Sequence, residues 1–136
     1  MPSSNTLSER PRVLLVDDNQ AMLTRADAVL TSACVVVGTR TNGLAALEAA
    51  RALVPDVIVL DISMPGMTGL EVAASLRHAG SKAAVVFLTI HEDEEFILAA
   101  QAVGGIGYVA KARLGSDLIV AVREASAGRP FVSPRR

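Results

Sequence analysis

Aromatic side chains are scarce: three Phe, one Tyr and no Trp in 136 residues. A core with so few rings must be filled by Val, Leu, Ile and Ala, which suits helices laid on a parallel sheet. Cysteine is nearly missing as well. The lone Cys34 excludes an intramolecular disulfide. The apolar run Val35–Val37 beside it points to a buried, reduced thiol, as expected of a cytoplasmic protein. Neither sign of charge is in excess. A net charge of −1 argues against the strongly basic face of a nucleic-acid binder, and Arg129, Arg135 and Arg136 read as a solvated end. No apolar run is long enough to cross a bilayer, so no membrane partner is expected. The start, MPSSNTLSERP, lacks the apolar centre of a secretory signal, and residues 1–10 read as a loose, flexible tail.

What remains is an apolar, moderately charged chain of single-domain size, with 51% hydrophobic and 20% charged residues. Its pattern alternates. RVLLV (Arg12–Val16) predicts a strand, and Met22, Ala26, Val29 and Ala33 then recur at helical intervals. Cys34–Gly38 predicts a second strand. Ala45–Leu53 predicts an Ala-rich helix ended by Pro55. Asp56–Asp61 (DVIVLD) is apolar on both faces in its middle, the mark of a central strand covered on both sides. Pro65, Gly66 and Gly69 predict a turn, and Thr68 with Glu71 forms a capping box that opens the next helix. Ala83–Thr89 is the fourth strand. The acidic residues of His91–Glu95 read as a helix start that complements the dipole, with a partner or metal site as the alternative. Ile106–Ala110 is the fifth strand, and Leu118, Val122 and Ala125 stripe the last helix, ended by Gly128.

Five strands alternating with five helices predict an α/β domain. We expect a flavodoxin-like three-layer (βα)5 arrangement over residues 11–129, with a five-stranded parallel sheet in the order 2-1-3-4-5. Chemistry in such sheets lies at the carboxyl ends of the strands. That rule selects Asp17 and Asp18 after strand one, Asp61 after strand three, Thr89 after strand four and Lys111 after strand five. Three carboxylates cannot gather ionised without a cation. An all-oxygen donor set calls for a hard one, Mg²⁺ above others. Phosphoryl transfer needs these parts: Asp61 as nucleophile, with Mg²⁺, Lys111 and the Thr89 hydroxyl holding the phosphoryl oxygens. Each residue alone has a plainer reading. Asp17-Asp18 could be a turn and helix N-cap, and Thr89 an ordinary strand end. The conjunction carries the argument.

VLLVDDN, VIVLDISMPGMTGLEV, VVFLTIHED and GIGYVAKA, in this order and spacing, resemble the receiver domain of two-component response regulators. The resemblance implies Asp61 as phosphoacceptor. It implies Asp18, Asp61 and the backbone carbonyl of Ser63 as Mg²⁺ ligands, with Asp17 acting through a metal-bound water. Thr89 and Lys111 match the switch hydroxyl and the phosphate-pairing lysine, and Tyr108 the aromatic that turns inward with Thr89. A lone tyrosine packed at the surface is the alternative for Tyr108. Ser63 and His91 stand where the family tunes hydrolysis of the acyl phosphate, with a plain surface role as the alternative for His91. The donor implied is a phosphohistidine on a sensor histidine kinase. The output surface implied is the fourth helix, fifth strand and fifth helix. Homodimers through that face, or through the first and fifth helices, are implied as well.

The ending AVREASAGRPFVSP resembles receivers of the NarL-like group, which carry a LuxR-type helix-turn-helix domain. Residues 130–136 then read as the start of a linker to an output domain beyond this chain, through which DNA would be bound and transcription regulated. A stand-alone receiver in a phosphorelay is the alternative. A haloacid-dehalogenase-like phosphatase, the enzyme reading, needs a second acid two residues after the nucleophile, and Ser63 stands there. A flavodoxin-like cofactor binder needs a phosphate-cradling loop after strand one, where Asp17-Asp18 would repel phosphate. The expectation is therefore a switch and not an enzyme.

Overall fold

The computed structural model describes residues 10–134, and the tail expected over residues 1–10 lies outside them except for Arg10. The strands are β1 (Arg12–Val16), β2 (Val35–Arg40), β3 (Val57–Leu60), β4 (Ala84–Thr89), β5 (Gly107–Ala110) and β6 (Phe131–Val132). The helices are α1 (Gln20–Leu30), α2 (Gly43–Leu53), α3 (Gly69–His78), α4 (Glu94–Ala102) and α5 (Leu114–Ser126). A 3₁₀ turn, Lys111–Arg113, joins β5 to α5. All pairings are parallel, in the order β2-β1-β3-β4-β5-β6. This is the flavodoxin-like α/β fold expected, with one short strand added at the β5 edge.

Alternation along the strands builds two cores. Val13, Leu15, Val57, Val59, Val86, Leu88 and Val109 face one side, against α1 and α5. Leu14, Val16, Ile58, Leu60, Val85, Phe87 and Tyr108 face the other, against α2, α3 and α4. Successive strand residues point to opposite faces, so a strand covered on both sides must be apolar throughout. That is why VIVL carries no polar residue until Asp61.

The helix starts follow their caps. Asn19 accepts from Met22 N at 3.0 Å and Asn42 from Ala45 N at 2.9 Å. Thr68 and Glu71 form the reciprocal box read from the sequence. Asn19, not Asp17 or Asp18, caps α1, so the N-cap part of the plain reading of that acidic pair fails, while Asp17 does make a local turn bond to Asn19 N. The buried stripe of α1 is Leu23, Ala26 and Leu30, one position on from Met22 and Val29, which are half-buried.

Two strands run beyond expectation. β2 continues past Gly38 to Arg40, with a bulge that lets Leu14 pair Gly38. Phe131 and Val132, read as the start of a linker, instead pair with Gly107 and Tyr108. Residues 135–136 lie outside the described ones.

Gly69 starts α3 and closes the loop after β3. Its N–H donates to Ile62 O at 2.8 Å. A Cβ there would collide with the backbone carbonyl of Asp61 and lie 2.9 Å from Ile62 Cα. Gly80, in contrast, has a positive φ of 81° and open space around it. Gly69→Ala should therefore cost on the order of 3 kcal/mol in urea unfolding, because backbone must move. Gly80→Ala should cost about 1 kcal/mol, from backbone strain alone. Equal losses would contradict the collision.

Candidate functional site

The residues selected by the strand-end rule gather at one rim. Asp17 follows β1, Asp61 follows β3, and Lys111 opens the 3₁₀ turn after β5. Oxygens of Asp17, Asp18 and Asp61 all lie within 4.8 Å of one another. Lys111 Nζ is 2.9 Å from Asp17 Oδ2 and 3.4 Å from Asp61 Oδ2. Asp17 and Asp61 are buried, at 2% and 4% exposure, whereas Asp18 faces solvent.

Local hydrogen bonds fix the two buried carboxylates. Asp17 Oδ1 accepts from Asn19 N at 2.8 Å, and Asp61 Oδ1 accepts from Ser63 N at 3.3 Å. Asp17 Oδ2 is paired with Lys111 Nζ at 2.9 Å. One ammonium beside three carboxylates leaves negative charge in excess, which invites a further cation. With three carboxylates in reach and only oxygen donors, the cluster fits a small, hard divalent ion.

Burial first, and the Asp17 charge second, push the Asp61 carboxyl up to about 6, against the pull of Lys111 and the Ser63 N–H. Burial alone would lower the Lys111 pKa, but the Asp17 and Asp61 carboxylates reverse this and hold it above its ordinary value. Lys111 is thus a fixed cation at neutral pH.

Thr89 and Tyr108 are tied to His91 and not to Asp61. Thr89 is fully buried, and its Oγ1 accepts from His91 N at 3.1 Å. Tyr108 packs into the α4-side core and donates its hydroxyl to His91 O at 2.9 Å, so the surface reading of this ring fails. Burial, with the nearby Asp93 and Glu92 charges, pushes its phenol up to about 12. The His91 ring stacks on Phe96 with centroids 4.1 Å apart. A hydrogen bond of 2.7 Å joins His91 Nε2 to Ser63 Oγ. His91 therefore bridges the loop after β3 to the loop after β4, beside an apolar groove lined by Ile62, Met64, Leu70 and Phe96. Its position two residues after Thr89 was visible in the sequence; its bond to Ser63 was not.

A family model described as the response regulator receiver domain matches residues 13–123. The chain belongs to the response regulator receiver domain family. It is 35% identical over 127 residues to the nitrate/nitrite response regulator protein NarL of Escherichia coli K12, covering 92% of this chain and 59% of that protein. It thus spans less than two thirds of that relative. The signal receiver domain of the response regulator NarL from Mycobacterium tuberculosis superposes with a TM-score of 0.84 at 31% identity, covering 88% of this chain and 98% of that one. A two-component response regulator of the LuxR family from Aurantimonas sp. SI85-9A1 superposes with a TM-score of 0.88 at 28% identity, covering 92% and 91%. NarL-type receivers are thus its relatives in sequence and in fold. No helix among the described residues is long and apolar enough to cross a membrane.

The raised Asp61 pKa has a consequence for stability. The folded protein keeps this proton up to about pH 6, whereas an ordinary Asp releases it near 3.8. The folded state binds the extra proton between these values, so stability falls as pH rises through that window, and the penalty is complete above pH 6. In chelator at pH 7.5, Asp61→Asn should stabilise the receiver by roughly 1–3 kcal/mol. The gain should vanish by about pH 4. Thermal melts across pH check this, and a gain that grows as pH falls would contradict it.

Proposed function

We propose that this receiver is a phosphorylation switch whose acceptor is Asp61. The observation that carries the reading is the convergence of Asp17, Asp18, Asp61 and Lys111 on one rim, with Lys111 Nζ 3.4 Å from Asp61 Oδ2. An Asp61 oxygen attacks the phosphorus of a phosphohistidine on a sensor histidine kinase. The new P–O bond forms as the P–N bond breaks, and the imidazole leaves with its electron pair. Asp18, Asp61 and the Ser63 carbonyl, with Asp17 through a water, would hold Mg²⁺, which would supply positive charge to neutralise the phosphoryl oxygens. Lys111 pairs with another of these oxygens, and the Thr89 hydroxyl turns toward a third. Tyr108 follows Thr89, because both are bonded to His91. The surface of α4, β5 and α5 thereby changes, and with it homodimer contacts on that face or on α1 and α5. In a longer regulator that change would govern a LuxR-type DNA-binding domain and so transcription, in the cytoplasm.

The chain is read as a switch and not an enzyme. Ser63 offers no acid to protonate a leaving group, so the acyl phosphate is held as a signal. Acetyl phosphate should add one phosphoryl group by intact mass, only with Mg²⁺ present, and none to Asp61→Asn. An adduct on Asp61→Asn, or rapid turnover of phosphate esters, would overturn the reading.

Ser63 and His91 set the lifetime of the acyl phosphate. Their 2.7 Å bond spans the loops beside the acceptor and limits the approach of water. His91→Ala should leave uptake intact and shorten the half-life of the adduct roughly threefold, a change of under 1 kcal/mol in the barrier. An unchanged half-life would remove His91 from this role.

A further inference from the structure

The segment after α5 is held by a buried polar cluster that the chemistry at Asp61 does not use. Ser133 is 5% exposed. Its N–H donates to Tyr108 O at 2.8 Å, and its Oγ accepts from Ala110 N at 3.1 Å. That same hydroxyl donates to Asp117 Oδ2 at 2.7 Å. Asp117, buried near the start of α5, also accepts from Arg113 Nε at 2.8 Å and Ser116 Oγ at 3.0 Å. These bonds outweigh the burial that would raise its carboxyl, and its pKa lies below the ordinary value. The carboxylate is charged and fully engaged, so the cluster has one well-defined geometry.

Its position matters more than its strength. Ala110 and Arg113 bracket Lys111, which opens the 3₁₀ turn. Ala110 is also the register partner of Thr89 across β4 and β5. The Ser133–Asp117 contacts therefore grip both sides of the residue that reaches Asp17 and Asp61. They grip it in one state of the site, with Lys111 Nζ nearer to Asp17 than to Asp61.

We propose that Ser133 and Asp117 form a clasp through which the state of the Asp61 site controls the segment leaving the domain. When Lys111 is drawn from Asp17 to a phosphoryl oxygen, the 3₁₀ turn shifts. The Ala110–Ser133 and Arg113–Asp117 bonds cannot all be kept, and β6 loosens from β5. Phe131–Ser133 are then released from the edge of the sheet. This rests on the reading of Asp61 as acceptor. Coupling is reciprocal: whatever factor loading applies to the clasp, opening the clasp applies to loading.

Amide hydrogen exchange followed by NMR on the whole chain tests this, with Mg²⁺ and beryllofluoride as the phosphoryl mimic. Shifts of the Asp61 and Lys111 amides report occupancy of the site. With the site occupied, exchange at Phe131 and Ser133 should quicken by at least about threefold. Ser133→Ala should show fast exchange at Phe131 with or without the mimic, and should bind beryllofluoride tighter by a similar factor. Ser133→Thr, which keeps the hydroxyl, should behave as the parent. An occupied site with unchanged or slower exchange at Phe131 and Ser133 overturns the clasp and leaves the acceptor reading standing. So does a Ser133→Ala protein that still responds like the parent. Should the mimic produce no shift at Asp61, and acetyl phosphate no adduct, the acceptor reading itself falls and the clasp with it.

Discussion

Three carboxylates meet at the end of a sheet that is apolar on both faces, and the Lys111 ammonium pairs with two of them. Along β3 and the buried part of β1 every side chain is apolar, because α1 and α5 cover one face and α2, α3 and α4 the other. The buried charges of the site lie where β1, β3 and β5 end. There Asp17 and Asp61 lose most of their water and gain an ammonium at 2.9 and 3.4 Å in its place. Burial first, and the Asp17 charge next, push the Asp61 carboxyl up to about 6, and one positive charge against two buried negative ones leaves a deficit. A divalent cation and a phosphoryl group are complementary to that deficit. Gly69 serves the same site, since only a residue without a Cβ lets the following helix close against the Asp61 carbonyl.

The surrounding side chains form two sets of ties. One runs through His91, whose backbone joins Thr89 and Tyr108 and whose ring reaches Ser63. The other runs through Asp117 and Ser133, on the far side of Lys111. Both consist of short, directed bonds between loops and strand ends, which are made or lost by small movements. The apolar layers beneath them cannot yield in that way, because close-packed interiors resist gradual deformation. Movement is thereby concentrated at the rim.

Much of this was readable in the chain. The strand-end rule picked Asp17, Asp18, Asp61, Thr89 and Lys111 from periodicity alone, because a strand buried on both faces announces itself as VIVL or VVFL. Thr68 and Glu71 announced the start of α3 in the same local way. The misreadings have local causes as well. Gly38 resembles a strand end, yet β2 runs to Arg40 because pairing with β1 supplies bonds that propensity does not count. Phe131–Val132 lies between Pro130 and Pro134 and is too short for any period, so its pairing with β5 could not be seen. In α1, Met22 and Leu23 are equally apolar, and only packing decided that Leu23 points inward.

By itself the sequence determined the alternation of strands and helices, the two apolar layers and the chemical kinds available at the strand ends, since each depends on side-chain type and spacing of two or about 3.6. Only the tertiary structure decided which groups touch. The 2.9 Å approach of Lys111 to Asp17 spans 94 residues of chain, and the 2.7 Å bond between Ser63 and His91 spans 28. The Ser133 hydroxyl became a buried partner of Asp117 only when β6 docked beside β5. Such contacts arise from the crossing of elements distant along the chain, and local periodicity has no means of recording them.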